Sequence, residues 1–506
     1  MTEIALDGKS LSLDEVERVA TDPAVRVTLA GEARARVVDA RRVIEEKVAS
    51  GERVYGVTTG FGRLAEVVIA PEEATELQHN LIRSHAAGMG AALPQRVVRA
   101  IMVLRANALA RGVSGCRVTV VERLLDLLNH GIHPRVPEFG SVGASGDLAP
   151  LAHVALTLLG EGEAERGGRV ASAAEHLAAC GLEPVSLEAK EGLALINGTQ
   201  ATTALGVLAL RAAERAVDTA DVAGAMSLEA LMGTPDAFAP EIQEARPHPG
   251  QARSAARLRA LLADSEIRES HRHGDPRVQD AYALRCMPQV HGAAREALGH
   301  VHRILQTEAN SATDNPLVFP ERDLVVSGGN FHAQVVAQAL DFLAIAVADL
   351  AAISERRIER MLNPDLSAGL PAFLTERPGL RSGLMIAQVT AVDLLGELRV
   401  LAHPASVDSV TTSANQEDHV SMGLATARKA RRAVACLERV LAVEVVCAAQ
   451  GIDFRRPLRA GAGVEPAHAR VREGVAHLDE DRVLAPDLAA AEELVRSGAL
   501  TGAWVE

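Results

Sequence analysis

Beyond Gly198 the chain settles into long stretches where apolar residues return every three or four positions, at 202–232, 290–310, 331–363, 386–403 and 423–450. Each is free of proline and rich in Ala, Leu, Glu and Arg, a pattern that predicts helices of roughly 20–30 residues, longer than the usual globular helix. Several are apolar on nearly every side, which predicts burial at the centre of a bundle or in a subunit interface, and their abundant alanines permit close helix approach. The first two hundred residues read differently. A helical pattern over 33–50 alternates with glycine-rich turns such as Gly56-Val57-Thr58-Thr59-Gly60-Phe61-Gly62, and short extended segments are expected around Val170 and over 184–187. Smaller helices are expected over 466–506. The fold class is therefore mostly α, a long central antiparallel helix bundle with a mixed, loop-rich N-terminal region. The division is placed at 1–200 and 201–506, two regions of one intimately packed unit.

Composition narrows the function classes. Hydrophobic residues are 48% and charged residues 23% of 506, ordinary for a soluble globular protein. Lys and Arg total 52 against 66 for Asp and Glu, a net charge of −14. That excess disfavours nucleic-acid binding and a polybasic membrane anchor. The most apolar long run, 335–353, carries Asp341 and Asp349 and reads as a buried helix rather than a membrane span. The N-terminus shows neither a basic nor an apolar leader region, so no signal peptide is expected. Five cysteines without a CxxC pair suit a reducing cytoplasm better than a disulfide framework or a zinc site. HExxH, Walker-type and GxGxxG patterns are lacking too, so no metal or nucleotide is expected. The chain has only two tyrosines, Tyr55 and Tyr282, so aromatic anchors do not build its core.

Chemistry concentrates in Gly143-Ala144-Ser145-Gly146-Asp147. Three small residues let a backbone fold sharply enough to attack itself. Addition of the Gly146 amide nitrogen to the Ala144 carbonyl carbon closes a five-membered ring. Loss of two waters, one from the Ser145 side chain, then leaves an exocyclic methylene, a strong electrophile made from the protein alone. Glycine suits the attacking position because it reaches strained dihedrals at little steric cost. The plainer alternative is a flexible loop before a helix capped by Asp147.

The run from Pro137 to His153 around these residues resembles the cofactor-forming segment of the aromatic amino acid ammonia-lyases and aminomutases, and the similarity extends over almost the whole chain. The resemblance implies a 4-methylidene-imidazol-5-one group (MIO) formed from Ala144, Ser145 and Gly146, and a mostly helical homotetramer whose active sites are each assembled from three chains. Tyr55-Gly56-Val57-Thr58-Thr59-Gly60 looks like the loop that carries the family's catalytic base. Elimination of ammonia requires removal of a weakly acidic β-proton, and a phenolate is a strong base where its surroundings favour ionisation. Asn197 matches the family's asparagine near the prosthetic group and the substrate carboxylate, where its amide can donate to developing oxyanion charge. In Val278-Gln279-Asp280-Ala281-Tyr282-Ala283-Leu284-Arg285, Arg285 has the fork to pair with an amino acid carboxylate, or to form a surface salt bridge. By resemblance Arg285 anchors substrate, Tyr282 supports the reaction, Gln279 lines the site and Phe331 sits beside the prosthetic ring.

Two positions bear on substrate. Ser84-His85 is similar to the pair found in the histidine ammonia-lyases of the family and in some tyrosine aminomutases, and Asn415-Gln416-Glu417-Asp418-His419 has their added Glu417. Together His85 and Glu417 would grip both ends of an imidazole, and leaving them unpaired would penalise a phenyl ring by ~1–3 kcal/mol per group. Thr58 follows a form seen in tyrosine lyases, and Gln334 stands where some members have Glu. The expectation is a cytoplasmic enzyme that converts L-histidine to urocanate and ammonia, with no nucleic-acid or membrane partner. The alternatives are a tyrosine ammonia-lyase or tyrosine 2,3-aminomutase on the same scaffold, and a noncatalytic helical assembly protein.

Overall fold

The proline-free stretches fold as long helices: Gln200–Ala230, Met287–Ala309, Gln334–Leu362, Met385–Leu401 and Gly423–Asp453. Met287–Ala309 begins ahead of the expected 290 because Pro288 sits at its second position, where a missing N–H costs nothing. The computed structural model describes residues 2–502 and is mostly helical, with 59% helix and 7% strand. Within the region expected to hold small C-terminal helices, Val464–Gly474 and Ala485–Ser497 are helical; 503–506 lie outside the described residues.

The chain forms two compact units. The first comprises Met1–Leu208, His302–Asp341 and Pro404–Arg428, and the strands among the described residues all lie in it. Glu3–Leu6 pairs in parallel with Arg26–Leu29, while Met89–Ala92 with Pro137–Phe139 and Leu317–Phe319 with Leu324–Val326 are antiparallel ribbons. A three-stranded sheet joins His133–Pro134, Glu163–Arg166 and Arg169–Ser172. The extended segment expected at Val170 is thus a strand, but 184–187 is not. The Val185 N–H donates to the Leu158 carbonyl at 2.8 Å and the Leu187 N–H to His79 at 3.3 Å, so this segment spends its donors on helix residues and none on a neighbouring strand.

At the centre of the first unit lies Gln95–Ala110, whose residues are buried from Val97 to Ala110, polar Arg99, Arg105 and Asn107 included. Buried polar groups must find partners. Asn107 does so by accepting from the Gly8 N–H at 3.0 Å and donating to the Ala309 carbonyl at 2.9 Å. The same helix carries Arg105 beneath the site described below.

The second unit comprises Ala209–Val301, Phe342–His403 and Lys429–Glu506. Charge is buried inside it. Glu444 accepts from Arg357 through Nε at 2.5 Å and Nη2 at 2.9 Å, from Ser227 at 2.7 Å and from Ser354 at 2.5 Å. Asp221 accepts from Arg295 at 2.5 Å, His291 at 2.8 Å and Arg257 at 3.0 Å. Apolar side chains face outward as well: Phe342, Ile345, Ile386, Val389, Val392 and Val400 are exposed. The most apolar window of Gln334–Leu362 is 56% buried, against 94% for the stretch Glu191–Ala230.

Removing one member of a fully desolvated pair leaves the other charge stranded. Glu444→Ala should therefore lower unfolding free energy by about 3–5 kcal/mol, seen as an early thermal transition; an unchanged melting curve would show that the network carries no weight.

Candidate active site

Before helix Leu148–Leu158 the backbone turns through Gly143 (φ +69°) and Gly146 (φ +77°), both in the left-handed region that favours glycine. Space forbids a side chain at either. A Cβ on Gly143 would overlap the Ser421 hydroxyl, and one on Gly146 would overlap the backbone of Gly198. The turn is held from three directions. Ser421 donates to the Gly143 carbonyl at 3.0 Å and the Met422 N–H to that of Val142 at 2.8 Å. The Asp147 N–H donates to the Gly198 carbonyl at 2.6 Å, and the Asn197 side-chain amide donates to the Ser145 carbonyl at 2.8 Å.

Asp147 occupies the N-cap position of Leu148–Leu158, yet its carboxylate makes no capping bond there. It points inward, fully buried, accepting from Ser141 at 2.8 Å and from the Thr202 N–H and hydroxyl at 2.7 and 2.9 Å. It serves the positive start of another helix, Gln200–Ala230, where a carboxylate is favoured. Burial pushes its pKa up, against these hydrogen bonds, which pull it down.

Ser145 opens on a cavity of about 920 Å³ lined also by Tyr55, His85, Asn197, Phe331 and Glu417. Tyr55 lies beyond the helix Gly31–Ser50; its hydroxyl accepts from the Gly62 N–H at 3.1 Å and its ring meets that of Phe61 edge-on at 6.5 Å. Its pKa is raised: burial pushes it up and the Glu417 charge adds to this, with the Gly62 N–H acting the other way. Glu417 follows a turn in which Ser413, Ala414 and Asn415 all have positive φ, a strained route that costs of order 1–2 kcal/mol per residue. The Thr412 N–H closes it by donating to the Glu417 carbonyl at 2.9 Å. Ser145 donates to one carboxylate oxygen of Glu417 at 3.4 Å, and the other oxygen is buried with no partner among the described residues.

His85 ends the helix Ala74–His85. Its Nδ1 lies 2.8 Å from the Leu81 carbonyl oxygen, which can only accept. Nδ1 therefore carries the proton and Nε2 is left as an acceptor. Burial pushes the imidazole pKa down, against the Leu81 carbonyl, which favours the charged ring. The cavity is thus lined by two side chains that carry acceptors, His85 and Glu417, which suits a ligand that supplies donors. The Asn197 amide oxygen is also buried without a partner among the described residues.

Gln279, Tyr282 and Arg285 do not line this cavity. They belong to the second unit and line a different one, of about 570 Å³. There the Arg285 guanidinium lies 4.4 Å from the centre of the Tyr282 ring, Tyr282 is 71% exposed, and Arg285 Nε is buried without a partner among the described residues. Asn315, Gln416 and His419 line the first cavity as well, though sequence reasoning gave them no role of their own. Gln416 and His419 stand inside the motif that pointed to Glu417.

A family model described as aromatic amino acid lyase matches residues 11–473. A histidine ammonia-lyase from Anaeromyxobacter dehalogenans (strain 2CP-C) is 55% identical over 508 residues, covering 99% of this chain and 100% of that one. Another, from Myxococcus xanthus (strain DK1622), is 52% identical over 500 residues, with coverage of 99% and 98%. Among solved structures, the histidine ammonia-lyase of Trypanosoma cruzi is similar at a TM-score of 0.92 and 47% identity, covering 99% of this chain and 94% of that chain. A tyrosine aminomutase from Streptomyces globisporus has a TM-score of 0.93 at 39% identity, covering 99% and 98%.

With only two tyrosines in the chain, Tyr55 can be titrated alone. In a Tyr282→Phe protein kept from assembling with other copies its phenolate absorbance should rise at a pH above the ordinary tyrosine value of about 10. Adding Glu417→Gln removes a like charge and should bring the midpoint down. A midpoint at the ordinary value, unmoved by the second substitution, would contradict these surroundings.

Proposed function

Because the chain belongs to the aromatic amino acid lyase family, we propose that it acts as a histidine ammonia-lyase, removing ammonia non-oxidatively from L-histidine to leave urocanate. The observation that carries the reading is the cavity that His85, Glu417 and Ser145 line together, with one Glu417 oxygen buried without a partner among the described residues. Full-length identity of 49–55% to histidine ammonia-lyases supports the same substrate. Phenylalanine, with no ring donor, would leave both acceptors unpaired at a cost of ~1–3 kcal/mol each.

The family uses an MIO group. The local structure fits its formation: the turn at Gly143 and Gly146 has no room for a side chain, and Asn197 donates to the Ser145 carbonyl. Ala144, Ser145 and Gly146 would supply the group, and its methylene would provide an electrophile that the twenty side chains lack. The other residues do the positioning and proton work. Tyr55 removes the β-proton as the Cα–N bond breaks and the amine leaves with the bonding electrons. His85 and Glu417 orient the imidazole. The Tyr55 loop, including Phe61 and Leu64, excludes water. Arg285 and Asn197 hold the carboxylate, Gln279 and Phe331 line the site, and Tyr282 assists near the reacting atoms.

For those roles to meet, Gln279, Tyr282 and Arg285 must come to the Ser145 cavity from another copy, as in a homotetramer with shared sites. The outward apolar residues Phe342, Ile345, Ile386, Val389 and Val392 support association. Five free cysteines are consistent with a cytoplasmic location.

Purified enzyme offered single amino acids should release urocanate from L-histidine and no coumarate or β-amino acid from L-tyrosine; a β-amino acid would favour the aminomutase alternative. Ser145→Ala should fold, keep the two waters in its peptide mass and lose nearly all turnover. Near-wild-type turnover in that variant would remove the electrophile from the account.

Shared sites make a separate test. Tyr55→Phe and Arg285→Lys proteins should each be nearly inactive, and co-assembly should restore up to about a quarter of wild-type activity, the random-mixing value for a site drawing one residue from each of two chains. No recovery in demonstrably mixed assemblies would place both residues in one chain's site.

A further inference from the structure

Beneath the Ser145 turn lies a guanidinium that no catalytic role uses. Arg105 projects from the core helix Gln95–Ala110, is 1% exposed, and donates through Nη1 to the Asn197 carbonyl at 3.1 Å and to Gln200 Oε1 at 2.9 Å. Nη2 donates to the Ala194 carbonyl. Gln200 is fixed in turn by its own donation to Thr313 at 2.8 Å. The fork thus ties the last carbonyls of the short helix Glu191–Ile196 to the first turn of Gln200–Ala230. Asn197, Gly198 and Thr199 are the residues between those helices, and the first two matter here. Asn197 and Gly198 touch the turn: Asn197 through its amide on the Ser145 carbonyl, Gly198 through its backbone against Gly146 and its carbonyl on the Asp147 N–H. Gly198 must be glycine partly on account of the arginine, because a Cβ there would overlap Arg105 Nη1, Gln200 Oε1 and Thr313 Oγ1.

We propose that Arg105 is a positioning residue for the backbone cyclisation at Ala144-Ser145-Gly146, holding the Asn197–Gly198 peptide as the template against which the turn is compressed. The inference rests on the reading of those three residues as the MIO precursor. The reaction it serves balances without an oxidant. The Gly146 nitrogen bonds to the Ala144 carbonyl carbon, whose oxygen leaves as one water with the amide protons of Gly146 and Ser145, leaving a double bond from that carbon to the Ser145 nitrogen. The Ser145 Cα–H proton and hydroxyl leave as the second. Ring closure depends on approach of two atoms of the same chain, and a misplacement near 1 Å costs on the order of a hundredfold in rate. A lysine keeps the buried charge but cannot reproduce a planar fork on three acceptors.

The test follows peptide mass against folding. Full-length wild-type, Arg105→Lys, Arg105→Met and Gly198→Ala proteins are sampled over time after synthesis, and the proteolytic peptide spanning 144–146 is weighed. Circular dichroism and gel filtration report the fold in parallel. The wild-type peptide should be two waters light throughout. R105K should fold and dehydrate on the order of a hundredfold more slowly. R105M should stay unmodified, as should G198A, which keeps the arginine and displaces it. A folded R105K protein that loses both waters at the wild-type rate overturns the proposal, and it decides the matter even where R105M does not fold. A wild-type peptide that retains both waters overturns the prior reading of Ala144-Ser145-Gly146, a result distinguishable from failure of the arginine alone.

Discussion

The site depends on a contact between two backbones. Gly146 lies against Gly198 with no room for a methyl group between them, and the Asp147 N–H closes the contact on the Gly198 carbonyl at 2.6 Å. Packing this tight cannot be adjusted by rotamer changes, because neither residue has a side chain to move. The surroundings must be rigid instead. Buried charge supplies that rigidity: the Asp147 carboxylate gathers Ser141 and the start of Gln200–Ala230, and Arg105 gathers the end of Glu191–Ile196. Each is costly to bury and unfavourable to leave half-paired. The hydrogen bonds around both groups therefore discriminate sharply among backbone positions.

The cavity follows an opposite rule. Its functional groups are incompletely paired. One Glu417 oxygen and the Asn197 amide oxygen are acceptors with no partner among the described residues, and the bond made by His85 Nδ1 leaves Nε2 as a further acceptor. Buried polar atoms left this way raise the energy of the free protein and lower that of a complex whose ligand carries N–H groups. The turn through Ser413, Ala414 and Asn415 has the same character, since strained backbone persists where surrounding structure over-determines it. Order is spent on the turn that bears Ser145, and unsatisfied valence is kept for the ligand.

How much of this could be read from the sequence depends on the range of the interaction. The long helices were legible because apolar spacing without proline is a local signal, and their ends fell within three residues of the expected ones. Tyr55, His85, Ser145, Asn197 and Glu417 come to one cavity from distant segments, and each was marked by its own short motif. Segment 184–187, expected to be extended, joins no sheet, because its donors go to groups no local pattern announces. Asp147 was legible as the residue before a helix, but its side chain answers to Thr202. Arg105 looks like any arginine in an amphipathic helix, and only the buried position shows what it holds.

Tyr55 presents the sharpest tension in the first unit. A base for the β-proton should give up its own proton readily, yet burial and Glu417 both raise its pKa, and the Gly62 N–H is the opposing influence. The carboxylate that suits an imidazole is thus unhelpful to the phenol beside it. If sites are shared between copies as proposed, the contradiction resolves through assembly. Arg285 would arrive with its charge, and a cation near the phenol favours the phenolate as directly as Glu417 disfavours it. The substrate contributes in the same direction, since N–H groups donated to Glu417 draw its charge away from Tyr55. Ionisation of the base would then be coupled both to association and to substrate binding. An unassembled chain would hold its tyrosine protonated, and the completed, loaded site would release it.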